Sequence, residues 1–145
     1  MTVASGKMES KAIQNGYGKW SNVTVPNSSW LTNTGLATGG LSPGGTSQVG
    51  NYNLTLNIPG TYLVVLHANY TITNTTGLRG MRIYLAEQNI GEYFFGAGAN
   101  GTDMTVCKII TVSESQGIRM GLYQSSGASA TAADIEISAI LLKKA

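Results

Sequence analysis

The sequence predicts an all-β sandwich, and three features of the chain point to it. Apolar and polar residues alternate with a period of two from Tyr52 to Ile58 and again in the stretches that follow. Turn-forming residues separate these stretches, as Pro59 and Gly60 do after the first one. No stretch has the period of about 3.6 residues that marks an amphipathic helix. We therefore expect about eight to ten short strands joined by Gly-rich turns.

The strand that follows this turn, from Thr61 to Thr73, is apolar on both faces at its start. Its second face begins with Leu63 and Val65 and then becomes polar. The last predicted strand, from Asp134 to Lys143, likewise ends in the continuous apolar run 139–142. In an antiparallel sandwich the core covers one face of each strand, so the second apolar face needs another partner.

The other elements follow from the same alternation and from the turns between strands. A turn signal at Asn15 and Gly16 precedes an irregular strand pair that ends at Pro26. The stretch from Pro26 to Gly50 is crowded with Gly, Ser, Thr and Asn, which predicts a long loop with room for a short strand. Such a loop is either functional or a packed Ω-loop, and the sequence leaves both open. Further strands are predicted at Leu78 to Ala86, around Tyr93-Phe94-Phe95, at Met104 to Val112 and at Ile118 to Tyr123.

The composition argues against two function classes. Charged residues are 11% of the chain, and the 9 Lys and Arg nearly balance the 7 Asp and Glu. A nucleic-acid-binding face needs clustered cations, whereas the basic pair here, Lys143 and Lys144, is expected to be a solvated tail. No apolar run is long enough for a membrane helix, and no export signal is visible at the start. We expect no nucleic-acid partner and no membrane insertion.

Residues suited to catalysis or metal binding are sparse. The single His, His67, lies in mid-strand, where a satisfied strand histidine is a better interpretation than a member of a Ser-His-Asp triad. The single Cys, Cys107, is expected to be a buried strand thiol, and one His with one Cys argues against zinc. Asp103 fits a turn carboxylate better than a calcium ligand. A sugar hydrolase would need two facing carboxylates, for which Asp103, Glu92 and Glu114 are the candidates. We expect that the protein is not an enzyme and that it binds neither a metal ion nor a cofactor.

The order of elements from Gly50 to Leu142 resembles the complement-C1q and tumour-necrosis-factor (C1q/TNF) jelly-roll family. The stretch from Tyr52 to His67 is similar to that family's strand, Pro-Gly-x-Tyr turn and aromatic-rich strand, and Gln124-Ser-Ser-Gly127 to its late Ser-Gly loop. The run 137–142 stands where the family ends in a Phe-Ser-Gly-Phe-Leu-Leu type strand, but the family's Gly-Asp pair is replaced by Ser115-Gln-Gly117. The resemblance implies a jelly roll assembled as a homotrimer around the sheet that holds the Pro-Gly-x-Tyr strand and the last strand. We predict trimer contacts at Leu63, Val65, Ile140 and Leu142.

A chain rich in Asn, Gly, Ser and Thr and poor in charge also resembles the trimeric heads at the tips of bacteriophage fibres. On that resemblance, residues 1–10 are expected to be a flexible remnant of a longer fibre protein and residues 11–145 the jelly-roll head domain. The expected location is the virion, at a tail fibre or baseplate tip, with an extracellular surface as the alternative.

Two function classes remain. The first is a receptor-binding head for a host cell-surface polysaccharide, in which exposed aromatics stack on sugar rings and polar side chains bond the hydroxyls. The second is a structural trimerisation cap, or a C1q-like protein-binding head of a bacterial surface filament, in which the aromatics only pack. Loop length favours the first. The predicted saccharide-binding residues lie in or beside predicted loops: Trp30, Tyr93, Asn100, Asp103 and Gln124.

Overall fold

The computed structural model describes residues 15–31, 46–49, 53–71, 75–98 and 101–145, and the predicted flexible segment 1–10 lies outside them. These ranges contain no helix, and so none that could cross a membrane. They contain nine strands: β1 (Asn15–Val25), β2 (Thr46–Val49), β3 (Asn53–Leu56), β4 (Gly60–Tyr70), β5 (Leu78–Leu85), β6 (Gln88–Gly96), β7 (Thr102–Val112), β8 (Gln116–Gln124) and β9 (Ala130–Lys144).

The strands form two sheets that pack as a sandwich. One sheet has four strands in the order β1-β9-β4-β7, and the other has five in the order β2-β3-β8-β5-β6. Every pairing between neighbouring strands is antiparallel. The predicted fold class, an all-β sandwich, is confirmed. The short strand β2 lies within the stretch predicted as a long loop.

The core lies between the sheets and follows the alternation in the sequence. Every second residue of β4 is buried, from Tyr62 to Tyr70. The two phenol groups reach partners despite this burial, because the Tyr62 hydroxyl donates to the Ile58 carbonyl at 2.7 Å and the Tyr70 hydroxyl donates to the Tyr123 carbonyl at 3.0 Å. The period of two thus fixes which face of each sheet is left outside.

Cys107 corrects one expectation about the core. It is exposed, and it pairs with Val65 on the outward face of the four-stranded sheet. The prediction of a buried thiol is wrong for the single chain, since the buried residue of this part of β7 is the preceding one, Val106.

Candidate functional site

Three aromatic rings meet on the outward face of the five-stranded sheet. Gly80 of β5 lies between Tyr123 of β8 and Phe94 of β6 in the strand register. Trp30 joins them from the segment after β1, because Leu31 exchanges both backbone hydrogen bonds with Leu122, at 2.8 and 2.9 Å. The ring centroids lie 5.2 Å apart for Trp30 and Tyr123 and 5.9 Å apart for the two pairs that include Phe94. We call Trp30, Phe94 and Tyr123 the aromatic cluster.

Gly80 allows the three rings to converge. A Cβ atom at this position would lie 3.1 Å from the side chain of each member of the aromatic cluster. That distance is tighter than ordinary van der Waals contact, so a larger residue would push the rings outward. The absence of a side chain lets the rings lie against bare backbone, and Gly80 itself is buried beneath them.

A fixed cation borders the aromatic cluster. The Arg82 guanidinium carbon lies 3.9 Å from the centroid of the Trp30 ring, a cation–π contact. Its Nε donates to Glu92 Oε2 at 2.8 Å, its Nη2 bonds the same oxygen, and its Nη1 donates to the Tyr84 hydroxyl at 3.0 Å. Burial by itself lowers the pKa of Arg82, but the bonds to Tyr84 and Glu92 outweigh that effect and raise the pKa above its usual value. The charge at Arg82 is therefore permanent.

Polar groups continue along the sheet beyond Arg82. Arg119 pairs with Tyr84 across the strands, its guanidinium carbon lies 4.9 Å from that ring, and its Nη2 donates to Glu87 Oε2 at 2.5 Å. Asn89 Nδ2 lies 3.5 Å from the Glu92 carboxylate. Donors and acceptors thus stand directly beside the rings. We call this set the polar strip: Arg82, Tyr84, Asn89, Glu92 and Arg119.

Part of this apolar surface is open to solvent. Phe94 is 50% exposed. Leu78, which pairs with Gly96 and so lies on the same face of the sheet as Phe94, is 46% exposed. Trp30 and Tyr123 are half-buried. An exposed apolar patch bordered by polar groups marks an interaction surface more often than an accident of folding.

The structure places the five predicted saccharide-binding residues in different surroundings. Trp30 lies in the aromatic cluster. Tyr93 lies on the core side of β6, opposite Met81 and packed against the core, so the prediction that it lies beside a loop and faces solvent is wrong. Asp103 lies on the other sheet, and Asn100 lies outside the described residues.

Gln124 has a structural role and is not available to bind a saccharide. Its side chain is fully buried at the end of β8. Its Nε2 donates to the carbonyls of Val25 at 3.2 Å and Ala128 at 2.6 Å, and its Oε1 accepts from the backbone and hydroxyl of Ser126 at 2.8 and 2.6 Å. These four bonds use the capacity of the amide, so Gln124 cannot bond a ligand as predicted.

Asp103 belongs to a polar group on the outward face of the four-stranded sheet. It lies in β7 rather than in a turn, where its Oδ1 accepts from Asn69 Nδ2 at 2.6 Å and lies 3.7 Å from His67 Nε2. His67 Nδ1 lies 3.1 Å from the Thr105 hydroxyl, as suits a strand histidine with partners. Within the described ranges, no three His, Cys, Asp or Glu side chains are grouped closely enough to hold a metal ion.

The other end of this outward face is apolar. Leu63 lies between Ile109 and Ile140 in the register, and Ile109 is 63% exposed. Leu142 is 53% exposed. It lies in β9 at a shift in the register with β4, between Leu141, which pairs with Tyr62, and Lys143, which pairs with Thr61. We call this the apolar end; it holds the predicted trimer-contact residues Leu63, Val65, Ile140 and Leu142, together with Ile109, which the sequence analysis did not single out.

Three solved structures illustrate the similarity in fold. Eiger TNF from S. frugiperda matches with a TM-score of 0.69 and 8% identity, over 92% of this chain and 94% of that one. The PRD1 vertex protein P5 matches with a TM-score of 0.66 and 14% identity, over 88% and 95%. The globular domain of zebrafish complement 1qA protein matches with a TM-score of 0.58 and 12% identity, over 90% and 99%.

The chain has a C1q/TNF-like jelly-roll fold. At these identities the likeness shows the fold alone. No protein-family model matches the sequence, and no curated protein does so either. This jelly roll has two outward faces with different chemistry: the aromatic cluster with its polar strip on the five-stranded sheet, and the apolar end on the four-stranded sheet.

Proposed function

We propose that this jelly roll is the receptor-binding head of a trimeric phage fibre and that it binds a host cell-surface saccharide without chemical change. The outward face of the five-stranded sheet is the saccharide site, and the outward face of the four-stranded sheet is the contact between chains. The observation that carries the proposal is the aromatic cluster lying directly beside the polar strip.

The chemistry of this surface suits a sugar. A pyranose ring presents an apolar face of C–H groups and a rim of hydroxyls. The half-exposed ring of Phe94 offers a stacking surface for the first. Arg82, Glu92 and Asn89 offer donors and acceptors for the second.

The apolar end supports assembly. Ile109 and Leu142 are more than half exposed in the single chain, beside Leu63, Val65 and Ile140. Monomers seldom leave such a patch open, and a second copy of the chain would cover it. A trimer formed this way presents the saccharide site three times on its outside, so that avidity raises weak single-site binding by about a hundredfold or more.

The virion is the location that fits this head best. The PRD1 vertex protein P5 is a phage protein with the same type of fold. A chain rich in Asn, Ser and Thr but poor in charge suits repeated, reversible contact with envelope polysaccharide.

A glycan-array screen of the purified protein tests the proposal. Binding to a set of envelope saccharides is expected, and Trp30→Ala should abolish it while the trimer persists. Binding to no glycan would contradict the proposal and favour the trimerisation cap, in which the rings only pack. Release of reducing sugar from a bound glycan would contradict the non-enzymatic role and direct attention to Glu92, Asp103 and Glu114.

A further inference from the structure

We infer that the saccharide recognised by this surface is uncharged. The inference rests on the proposed function and deepens it, since it names the chemical class of the ligand. It follows from how the charges on the outward face of the five-stranded sheet are already paired.

Among the residues that the structure describes, the charged side chains on this face form two ion pairs. Arg82 is paired with Glu92, and Arg119 is paired with Glu87. These two cations and two carboxylates leave the described part of the face without net charge. It therefore has no long-range attraction for an acidic polysaccharide, unlike a basic groove.

The Nε and Nη2 edge of Arg82 is already occupied by a carboxylate. Its Nε and Nη2 hold Glu92, its Nη1 holds the Tyr84 hydroxyl, and the Trp30 ring lies along one face of the guanidinium. A uronic or sialic acid could form a bidentate bond with Nε and Nη2, the two donors that already hold a carboxylate, only by displacing Glu92, which would then lack its partner. Arg119 is only 12% exposed at its side chain and is bound to Glu87.

A neutral sugar meets no such obstacle. The side chains of Arg82 and Glu92 are 22% and 32% exposed, so the outer edge of the ion pair can be reached from solvent. A hydroxyl can donate to the Glu92 carboxylate or accept from Arg82 while the pair stays intact, because it is both donor and acceptor. The pair therefore selects hydroxyl-bearing, uncharged rings.

Glycan arrays that carry each backbone in a neutral and in a carboxylate form test this inference. Suitable probes are galactan with galacturonan, and glucan with glucuronan. The wild-type protein should bind the neutral member at least about tenfold more tightly, which corresponds to about 1.4 kcal/mol. Glu92→Gln removes the competing carboxylate and frees Arg82, so it should narrow or reverse this preference. Glu114→Gln, in the exposed turn after β7, is the matched control and should leave the preference unchanged.

The outcomes separate the two proposals. Equal or tighter binding of the carboxylate forms by the wild type overturns the inference and leaves the saccharide-binding function standing. A neutral preference that persists in Glu92→Gln overturns the role of the ion pair. Binding to no glycan of the array, neutral or acidic, overturns the proposed function itself, and the inference falls with it.

Discussion

Tyr93 and Phe94 are neighbours in β6, yet their side chains lie on opposite faces of the five-stranded sheet. Tyr93 packs against the core, whereas Phe94 is 50% exposed and contacts the rings of Trp30 and Tyr123. Two adjacent aromatic residues thus serve different purposes. Tyr93 stabilises the sandwich, and Phe94 belongs to the surface that we propose for binding.

Alanine substitutions at these two positions should therefore destabilise the protein to different extents. Tyr93→Ala removes a ring from the edge of the core and should lower the free energy of unfolding by about 2 kcal/mol or more. Phe94→Ala removes a half-exposed ring and should lower it by about 1 kcal/mol or less. Urea unfolding of both variants measures the difference. Equal losses would show that the aromatic cluster contributes to the fold as much as the core does.

Gln124→Ala should destabilise the protein without weakening the saccharide site. The substitution removes the bonds that Gln124 makes to the Val25 and Ala128 carbonyls and to the Ser126 amide in the native fold. Loss of such a buried network should cost about 2–4 kcal/mol in thermal or urea unfolding. Gln88→Ala, at the exposed start of β6, is the control and should change little. Lost glycan binding with unchanged stability would restore Gln124 as a ligand-binding residue.

Gly80→Val should separate the rings of the aromatic cluster. The Cβ atom of the new side chain would lie only 3.1 Å from the three side chains, so the valine should collide with them. We expect the free energy of unfolding to fall by about 1–3 kcal/mol. Gly96→Val is the matched control, because a Cβ there meets no atom within 4 Å. The prediction is a lower glycan affinity and altered tryptophan fluorescence in the first variant only. Unchanged affinity in Gly80→Val would mean that the arrangement of the rings is not used for binding.

Ile109→Asp should dissociate the trimer and leave the fold intact. Ile109 is 63% exposed in the single chain, so the charge is costly only if another chain covers it, by several kcal/mol. Sedimentation should show a trimer for the wild type and a monomer for Ile109→Asp, and Val65→Asp should act in the same direction.

The Cys107 thiol lies on the same face and should react with a thiol reagent slowly in the trimer and rapidly in the variant. A wild-type monomer at micromolar concentration would contradict the assembly.

The alternation in the sequence was sufficient for the sheets and for most of the faces. In β5 it predicts that Arg82 and Tyr84 lie on one face of the strand and Met81 and Ile83 on the other, and the structure agrees. The sequence did not show which ring of Tyr93-Phe94-Phe95 faces outward, because that depends on the register with β5. The sequence therefore indicated Trp30 as part of this surface, but it indicated Tyr93 instead of Phe94, because a position beside a predicted loop does not show which face of a strand a side chain occupies.

Gln124 and Cys107 show the same limit in two directions. Gln124 ends a strand beside a Ser-Gly turn, as an exposed residue would, but the chain after β1 and the turn after β8 close over it. Cys107 is an apolar residue of a strand and was expected inside, yet the phase of β7 puts Val106 in the core instead. Both outcomes depend on contacts between distant parts of the chain, which local sequence patterns do not report.

Calorimetric titration with the best glycan from the array screen tests the central claim most directly. The wild type should bind one glycan per chain, Phe94→Ala should lose the binding heat, and Ile109→Asp should keep the single-site affinity because its substitution lies on the other sheet. Undiminished binding by Phe94→Ala, with its fold and trimer intact, would contradict the claim that the outward face of the five-stranded sheet is the saccharide site.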